Sequence, residues 1–160
     1  MSAPVFAAAT AAPFNPLLVM ILVPLIGAAV VALMPKARAD LVRQVAVIFS
    51  LISGASSLYL LSEFVTKQGD FQFELRHAWM KSFGISWHFG VDGISLFLLV
   101  LTGVLFPLAI VAVDPGHDHK PYYAWLLVLM AGSMGVFVAL DLVVFFLFFE
   151  IVLVPMYFLI

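Results

Sequence analysis

Apolar residues fill five long stretches of this chain, and most of its polar and charged residues lie between them. A stretch of about eighteen apolar residues is a candidate transmembrane helix, because at 1.5 Å per residue it spans most of the roughly 30 Å hydrocarbon core of a bilayer. The pattern therefore predicts an all-α polytopic membrane protein with five transmembrane helices, at about 17–34, 41–65, 94–113, 122–140 and 141–160.

The one substantial polar segment, residues 66–93, shows a different pattern. Apolar and polar residues alternate in part over 71–79 and again over 84–91. A period of two is typical of β-strands, so we predict a short β-hairpin-like loop between the second and third helices. Residues 1–16 are rich in alanine and proline and contain no Lys or Arg, so they are predicted to be an irregular lead-in and not a cleaved signal peptide.

The composition excludes several classes of protein. With 65% hydrophobic and 10% charged residues, the chain has more apolar surface than a soluble core of this length could hide. The formal net charge of −2 does not favour nucleic acid as a partner, and the lack of cysteines excludes disulfides and cysteine-ligated iron–sulfur clusters. His77, His88 and the turn at 117–119 are interpreted as surface residues, so neither a metal site nor a cofactor site is predicted.

The last span contains one carboxyl group among apolar residues. Glu150 lies eight residues after Leu142, about 12 Å along the helix and therefore near the bilayer midplane. A charged residue there costs about 2.5–3.5 kcal/mol on insertion scales, which favours a functional group over a structural, paired carboxylate. Pro155 leaves the carbonyl of Ile151 without a helical donor, and Tyr157 adds a phenol. These groups predict a wet site within the membrane, with Pro155 and Tyr157 supporting Glu150.

Residues three and four positions from Glu150, and their continuations, should share its helical face. They are Val143, Phe146, Leu147, Leu153, Val154 and Tyr157.

Two aspartates stand where helices are predicted to begin. Asp92 precedes the third span and Asp141 the fifth, and both are interpreted as helix N-caps. Only Asp141 is predicted to separate the fourth and fifth spans, so these helices should be antiparallel neighbours joined by a very tight turn. Small residues in the second and fourth spans predict close helix packing. They are Ser50, Ser53, Gly54, Ser56, Ser57, Gly132, Ser133 and Gly135.

Three stretches together resemble a known family: residues 135–160 around Glu150, the GVDGISLF run at 90–97, and the preceding FGISWHFGVDG at 83–93. They are similar to the M subunit of proton-pumping NADH:quinone oxidoreductase, respiratory complex I, which is an antiporter-like membrane subunit. The resemblance covers nearly the whole chain beyond its first sixteen residues. That family has about fourteen spans, whereas this sequence ends inside its fifth, in an apolar helix without a charged flank. We therefore expect it to be the N-terminal part of a longer chain.

The resemblance implies an organisation and a role. Residues 17–113 would be three N-terminal helices with the extramembrane loop 66–93, and 122–160 would begin the first, incomplete, five-helix antiporter-like repeat. Glu150 would match the proton-carrying glutamate that pairs with a lysine on a later, broken helix. Partners would be other membrane subunits of complex I, especially neighbouring antiporter-like subunits, and the lipid bilayer. Electron transfer would take place in other subunits, and no cofactor is implied for this chain.

Two alternatives stay open at this stage. One is a subunit of a multisubunit Na⁺/H⁺ antiporter or of a membrane-bound hydrogenase. The other is a non-transporting scaffold or assembly protein built from the same helices. The sequence just downstream of residue 160 would discriminate between a transporter and a scaffold, because a transporter requires a later charged and broken span.

The distribution of Lys and Arg predicts the orientation. Four of the seven lie after the first and third spans, at Lys36, Arg38, Arg43 and Lys120. Because cytoplasmic loops carry the excess of these residues, the N-terminus and the 66–93 loop are predicted to be external. The predicted location is a multi-pass protein of the inner (cell) membrane, of bacterial type.

Overall fold

The computed structural model describes residues 15–35, 38–65, 71–80, 85–113, 115–116 and 119–160. It contains five helices and two strands in this order: α1 (Pro16–Leu33), α2 (Ala39–Glu63), β1 (Gln72–Met80), β2 (Ile85–Val91), α3 (Gly93–Ala112), α4 (His119–Val138) and α5 (Leu142–Leu159). All five helices are long and apolar enough to cross a membrane. The predicted fold class is confirmed, and every helix begins and ends within three residues of its predicted bounds.

Several predictions fall on parts of the chain outside the described residues. These are the lead-in up to residue 14, Lys36, the segments 66–70 and 81–84, and positions 117–118 of the predicted histidine turn.

Proline and polar caps explain where the helices begin and end. The side chain of Asn15 accepts a hydrogen bond from the N–H of Leu17, and Pro16 occupies the first turn, where its missing N–H costs nothing. At its other end α1 stops at Leu33, just before Pro35. α4 begins three residues earlier than predicted, which places Pro121 in its first turn, where proline is tolerated.

The predicted hairpin is present. β1 and β2 pair in antiparallel fashion, with Arg76 opposite His88 and His77 opposite Trp87. The register shifts between Gln72 and Leu75, where Phe73 has a φ of 57°. Such a left-handed residue in a strand marks a bulge, which bends the hairpin locally.

α4 is the central helix of the bundle and packs against each of the other four helices. Half of its most apolar stretch is buried within the bundle, compared with 17% for α5, which lies at the edge of the bundle. One part of the core lies beneath the hairpin and joins Phe89 and Leu96 to Met130 and Met134. A second part fills the space between α1, α2 and the first turns of α4, around Tyr123. The fifth helix therefore leaves most of its surface uncovered by this chain.

The predicted small-residue packing occurs at the contacts of α2 with its neighbours. Gly54 approaches α3 so closely that a Cβ atom there would overlap the carbonyl oxygen of Gly103. The buried hydroxyl of Ser53 donates to the carbonyl of Met20 on α1 at 2.7 Å and lies 3.2 Å from the sulfur of Met134 on α4. Small side chains thus let three helices meet at α2.

The two ends of the bundle carry different charges. At one end, the guanidinium of Arg43 donates to the carbonyl of Val111, and Arg38 and Lys120 lie near the starts of α2 and α4. We call this the basic end. We call the hairpin end the acidic end, because among the described residues it has four carboxylates and one Arg or Lys, Arg76. The four carboxylates are Glu63, Glu74, Asp92 and Asp141.

Candidate functional site on the fifth helix

The side chain of Glu150 lies on the outward face of α5 and is exposed. The opposite face packs on α4 and the hairpin through Val144 and Phe148, both buried. Phe148 fits there because Gly135 has no side chain, and a Cβ atom at that position would overlap its ring. Since residues 148 and 150 lie 200° apart around a helix, the packing that buries Phe148 turns Glu150 away from the other four helices.

The exposed face around Glu150 is wide and apolar. It includes most of the residues predicted to share its face, with Tyr157 79% exposed and Phe146 59% exposed. Glu150 lies about 12 Å from the start of α5 and about 13 Å from its end, so the carboxyl is at the middle of the span.

The three residues predicted to form one site do not all share a face. Tyr157 lies on the Glu150 side, two helical turns further along, whereas Pro155 is buried. Ile151, whose carbonyl Pro155 leaves without a helical donor, packs partly against the core beneath the hairpin. The structure therefore brings Glu150 and Tyr157 to one surface and turns Pro155 toward the bundle.

The start of α5 is fixed by Asp141. Asp141 is the N-cap of the helix, and one of its carboxylate oxygens accepts a hydrogen bond from the N–H of Val143 at 2.9 Å. The other oxygen accepts from the N–H of Ser86 in β2 at 3.1 Å. These donors, Ser86 before Val143, hold the pKa of the Asp141 carboxyl below its usual value. The turn between α4 and α5 is longer than the predicted single residue and comprises residues 139–141.

The hairpin touches this turn at further points. The N–H of Leu140 donates to the carbonyl of His88 at 2.9 Å, and Phe89 forms an antiparallel bridge with Ala139. The ring of Phe89 also meets that of Phe148 edge-on, with centroids 6.1 Å apart. The hairpin is thus attached to the beginning of the helix that carries Glu150. No periodicity in the sequence indicates these contacts.

A second polar pair on the hairpin was also missed by the sequence analysis. The Nε2 atom of His88 lies 3.1 Å from a carboxylate oxygen of Glu74 on the neighbouring strand. The separation of fourteen positions in sequence gives no local signal for this pair. In the described parts of the chain, no group of three or more His, Asp or Glu side chains is placed to hold a metal ion.

Asp92 begins α3 in the same way that Asp141 begins α5. Its side chain accepts from the N–H of Ser95 at 2.7 Å, while the hydroxyl of Ser95 accepts from the N–H of Asp92 at 3.0 Å. This reciprocal pair is a capping box. The Ser95 N–H, followed by its hydroxyl, holds the pKa of Asp92 below its usual value.

Three curated proteins similar to this chain are subunits of NADH-quinone or NADH-ubiquinone oxidoreductases. The chain is 36% identical to NADH-quinone oxidoreductase subunit M of Rickettsia bellii over 115 residues, which cover 71% of this chain and 23% of the relative. It is 32% identical to subunit M of Mycobacterium tuberculosis, over 89% of this chain and 31% of the relative. NADH-ubiquinone oxidoreductase chain 4 of Marchantia polymorpha is 34% identical, over 86% of this chain and 28% of the relative.

The chain is a homologue of subunit M. It spans less than a third of the length of the subunit M and chain 4 relatives it matches. No protein-family model matches the chain.

Solved structures agree with this homology at the level of the fold. Respiratory complex I from Thermus thermophilus with bound NADH contains a chain that matches with a TM-score of 0.69 and 24% identity, over 88% of this chain and 27% of that one. The membrane-bound sulfane sulfur reductase, an archaeal respiratory membrane complex, matches with a TM-score of 0.69 and 26% identity, over 90% and 22% of the two chains. The arrangement of five helices is therefore shared by subunits of different respiratory membrane complexes.

Proposed function

We propose that this chain is part of an antiporter-like membrane subunit of respiratory complex I, in which Glu150 carries protons across the membrane. NADH:quinone electron transfer would take place in other subunits, so the chain would be a proton-translocating component without redox chemistry of its own. The homology to subunit M supports assignment of the chain to complex I, and the position of Glu150 supports its role as a proton carrier.

The observation that carries the proposal is an ionisable group at mid-depth on an outward face. A carboxyl group that faced lipid there would be costly, and such residues almost always face other protein or a water-filled cavity. α4 and the hairpin cover the buried face of α5, on the side away from Glu150. Glu150 is therefore free to contact protein other than these five helices. We infer that the Glu150 face packs against further membrane helices of the same complex.

The physical basis of transport follows from that placement. The proton affinity of a carboxyl group depends on its hydration and on the distance to the nearest cation. Each unit of change in pKa corresponds to about 1.4 kcal/mol, which is within the range that conformational coupling supplies. A lysine that approached and left Glu150 would therefore make it release and bind a proton. Tyr157, on the same face, would supply a hydroxyl to the same hydrated region.

A second candidate is favoured by the match to the sulfane sulfur reductase complex. In that case the same helices would belong to a respiratory membrane complex that uses a different electron-transfer reaction. The role of Glu150 would be unchanged, while NADH would not be the electron donor.

The test uses the assembled complex in its native membrane. Glu150 is replaced by Gln, Asp or Ala, and proton uptake is measured together with NADH-driven quinone reduction, at a subunit content shown to be normal. Retention of near wild-type pumping by Glu150→Gln would refute the proposed role. If NADH supports no turnover in the wild-type complex while another donor drives proton uptake, the second candidate is favoured.

A further inference from the structure

An open apolar groove runs between α1 and α4 and ends at the basic end of the bundle. Its volume is about 560 Å³, and its walls include Ala28, Ala29 and Ala32 on α1 and Ala124 on α4. The groove exists because these small side chains face each other where larger ones would fill the space. Glu150 is not one of its lining residues, so the groove is independent of the function proposed above.

The dimensions of the groove fit one alkyl chain. Its lining reaches from Lys120 to Val128 on α4, which is about 12 Å along the helix axis. One leaflet of the hydrocarbon core is about 15 Å thick. The groove therefore accommodates the part of a single acyl chain that is nearest to the lipid headgroup.

The polar end of the groove carries a cation. Lys120 is the second residue of α4 and lines the groove, so its ammonium group lies at the level of lipid headgroups. The surrounding charge has the same sign, since Arg38 and Arg43 outnumber Asp40 at this end among the described residues. A phosphate group is the complementary partner that a bilayer offers at this depth.

An aromatic stack fixes the position of one residue in the wall of the groove. The indole of Trp125 lines the groove and lies parallel to the ring of Phe158 on α5, with centroids 4.7 Å apart and an interplanar angle of 7°. Trp125 lies five residues after Lys120, about 7.5 Å along the helix, and tryptophan is typical of the membrane interface. The groove therefore has a preformed wall beside its charged end.

We propose that this groove binds an anionic phospholipid, with one acyl chain between α1 and α4 and the phosphate on Lys120. A transmembrane helix is the competing occupant. Such a helix is about 10–12 Å across with its side chains, so it would lie over the groove and not within it. It would also need its own carboxylate to pair with Lys120.

The experiment uses the assembled complex in detergent, stripped of loosely bound lipid. Phosphatidylglycerol with a photoreactive group in one acyl chain is cross-linked, and the labelled peptides are identified by mass spectrometry. We expect labelling at residues 25–32 and 120–128, and competition by unlabelled phosphatidylglycerol more strongly than by phosphatidylcholine.

Two sets of variants test the two ends of the site. Lys120→Gln should weaken competition by phosphatidylglycerol about fivefold, while Lys120→Arg retains it. Ala29→Leu combined with Ala32→Leu should abolish labelling by filling the groove. Both alanines are exposed, so the larger side chains do not disturb the core. Arg38→Gln is the control for charge at the same end, and Ala55→Leu, exposed on α2, is the control for added bulk.

Three outcomes would overturn the proposal. One is labelling of the Ala29→Leu, Ala32→Leu variant equal to that of the wild-type complex. Another is an effect of Arg38→Gln as large as that of Lys120→Gln, which would indicate a diffuse surface charge. The third is loss of another subunit from the complex with Ala29→Leu and Ala32→Leu, which would show that a protein helix covers the groove. Assembly yield and thermal stability, measured for every variant, separate these results from misfolding.

Discussion

The carboxylate of Asp141 and the backbone N–H of Ser86 form a hydrogen bond of 3.1 Å that joins the hairpin to the start of α5. The two residues are 55 positions apart in sequence. The same carboxylate caps α5 through Val143. One side chain therefore holds both the first turn of the helix that carries Glu150 and strand β2 of the hairpin.

Replacing Asp141 should loosen both structures. Asp141→Ala removes the acceptors of the Ser86 and Val143 amides, so hydrogen exchange of the segments around both residues should become faster in the assembled complex. Hydrogen-exchange mass spectrometry of peptides that cover residues 84–91 and 141–146 measures this effect. Glu63→Ala, an exposed acid at the same end of the bundle, is the control. Unchanged exchange at both segments would show that other contacts hold the hairpin.

The pH dependence of this attachment follows from the lowered pKa of Asp141. Because the folded pKa lies below the usual value of 3.8, the carboxylate stabilises the fold at all pH values above 3.8. That contribution is lost only as the pH falls through the lower, folded pKa. Protection of the Ser86 amide, corrected for intrinsic exchange, should therefore stay constant from neutral pH down to about 4. Loss of protection near pH 6 would instead assign the attachment to a histidine.

The contact between α2 and α3 should tolerate no added methyl group. In Gly54→Ala the new Cβ would overlap the backbone oxygen of Gly103, so the helices must separate. Overpacking of this kind costs about 1–3 kcal/mol. Gly93→Ala is the matched control, since among the described residues no atom from elsewhere in the chain lies within 4 Å of its Cβ position. Thermal denaturation of the complex in detergent should show a lower midpoint for Gly54→Ala alone. Equal midpoints would mean that the contact is looser in the membrane.

Glu150 gives the most direct functional prediction. Glu150→Gln keeps the shape and hydrogen-bonding capacity but exchanges no proton, so most proton uptake and quinone-linked turnover should be lost while the complex still assembles. Glu150→Asp keeps the acid on a shorter side chain and should be intermediate. Glu63→Gln is the matched control, because it removes an exposed carboxyl near the end of α2. If Glu150→Ala prevents assembly while Glu150→Gln pumps normally, the carboxyl has a structural role.

The orientation is tested by labelling single cysteines, which is simple because the chain has none of its own. A cysteine at His77, exposed on the hairpin, should react with an impermeant thiol reagent in intact cells. Ser82, in the same loop, should behave in the same way. A cysteine at Arg38 at the basic end should react only after lysis. The reverse pattern would place the hairpin in the cytoplasm.

The sequence predicted the helices and hairpin well because they depend on local patterns. Eighteen apolar residues are sufficient to indicate a span, and Asp92 next to Gly93 is sufficient to indicate a helix start. The attachment of Ser86 to Asp141 and the pair of His88 and Glu74 could not be predicted, because they depend on how distant segments pack.

The face of α5 was predicted only in part. Helical periodicity correctly grouped Glu150 with Tyr157, but the inward position of Pro155 depends on the contact with α4. Helical spacing specifies which residues share a face, and the packing of neighbouring helices specifies where that face points.

The buried hydroxyl of Ser53 also restricts how the bundle is able to move. It belongs to α2, donates to α1 and touches α4, so a slide of one helical turn, about 5.4 Å, by any of these helices would break the contact. Close packing at Gly103 joins α3 to the same unit. We therefore expect the first four helices to move as one rigid unit.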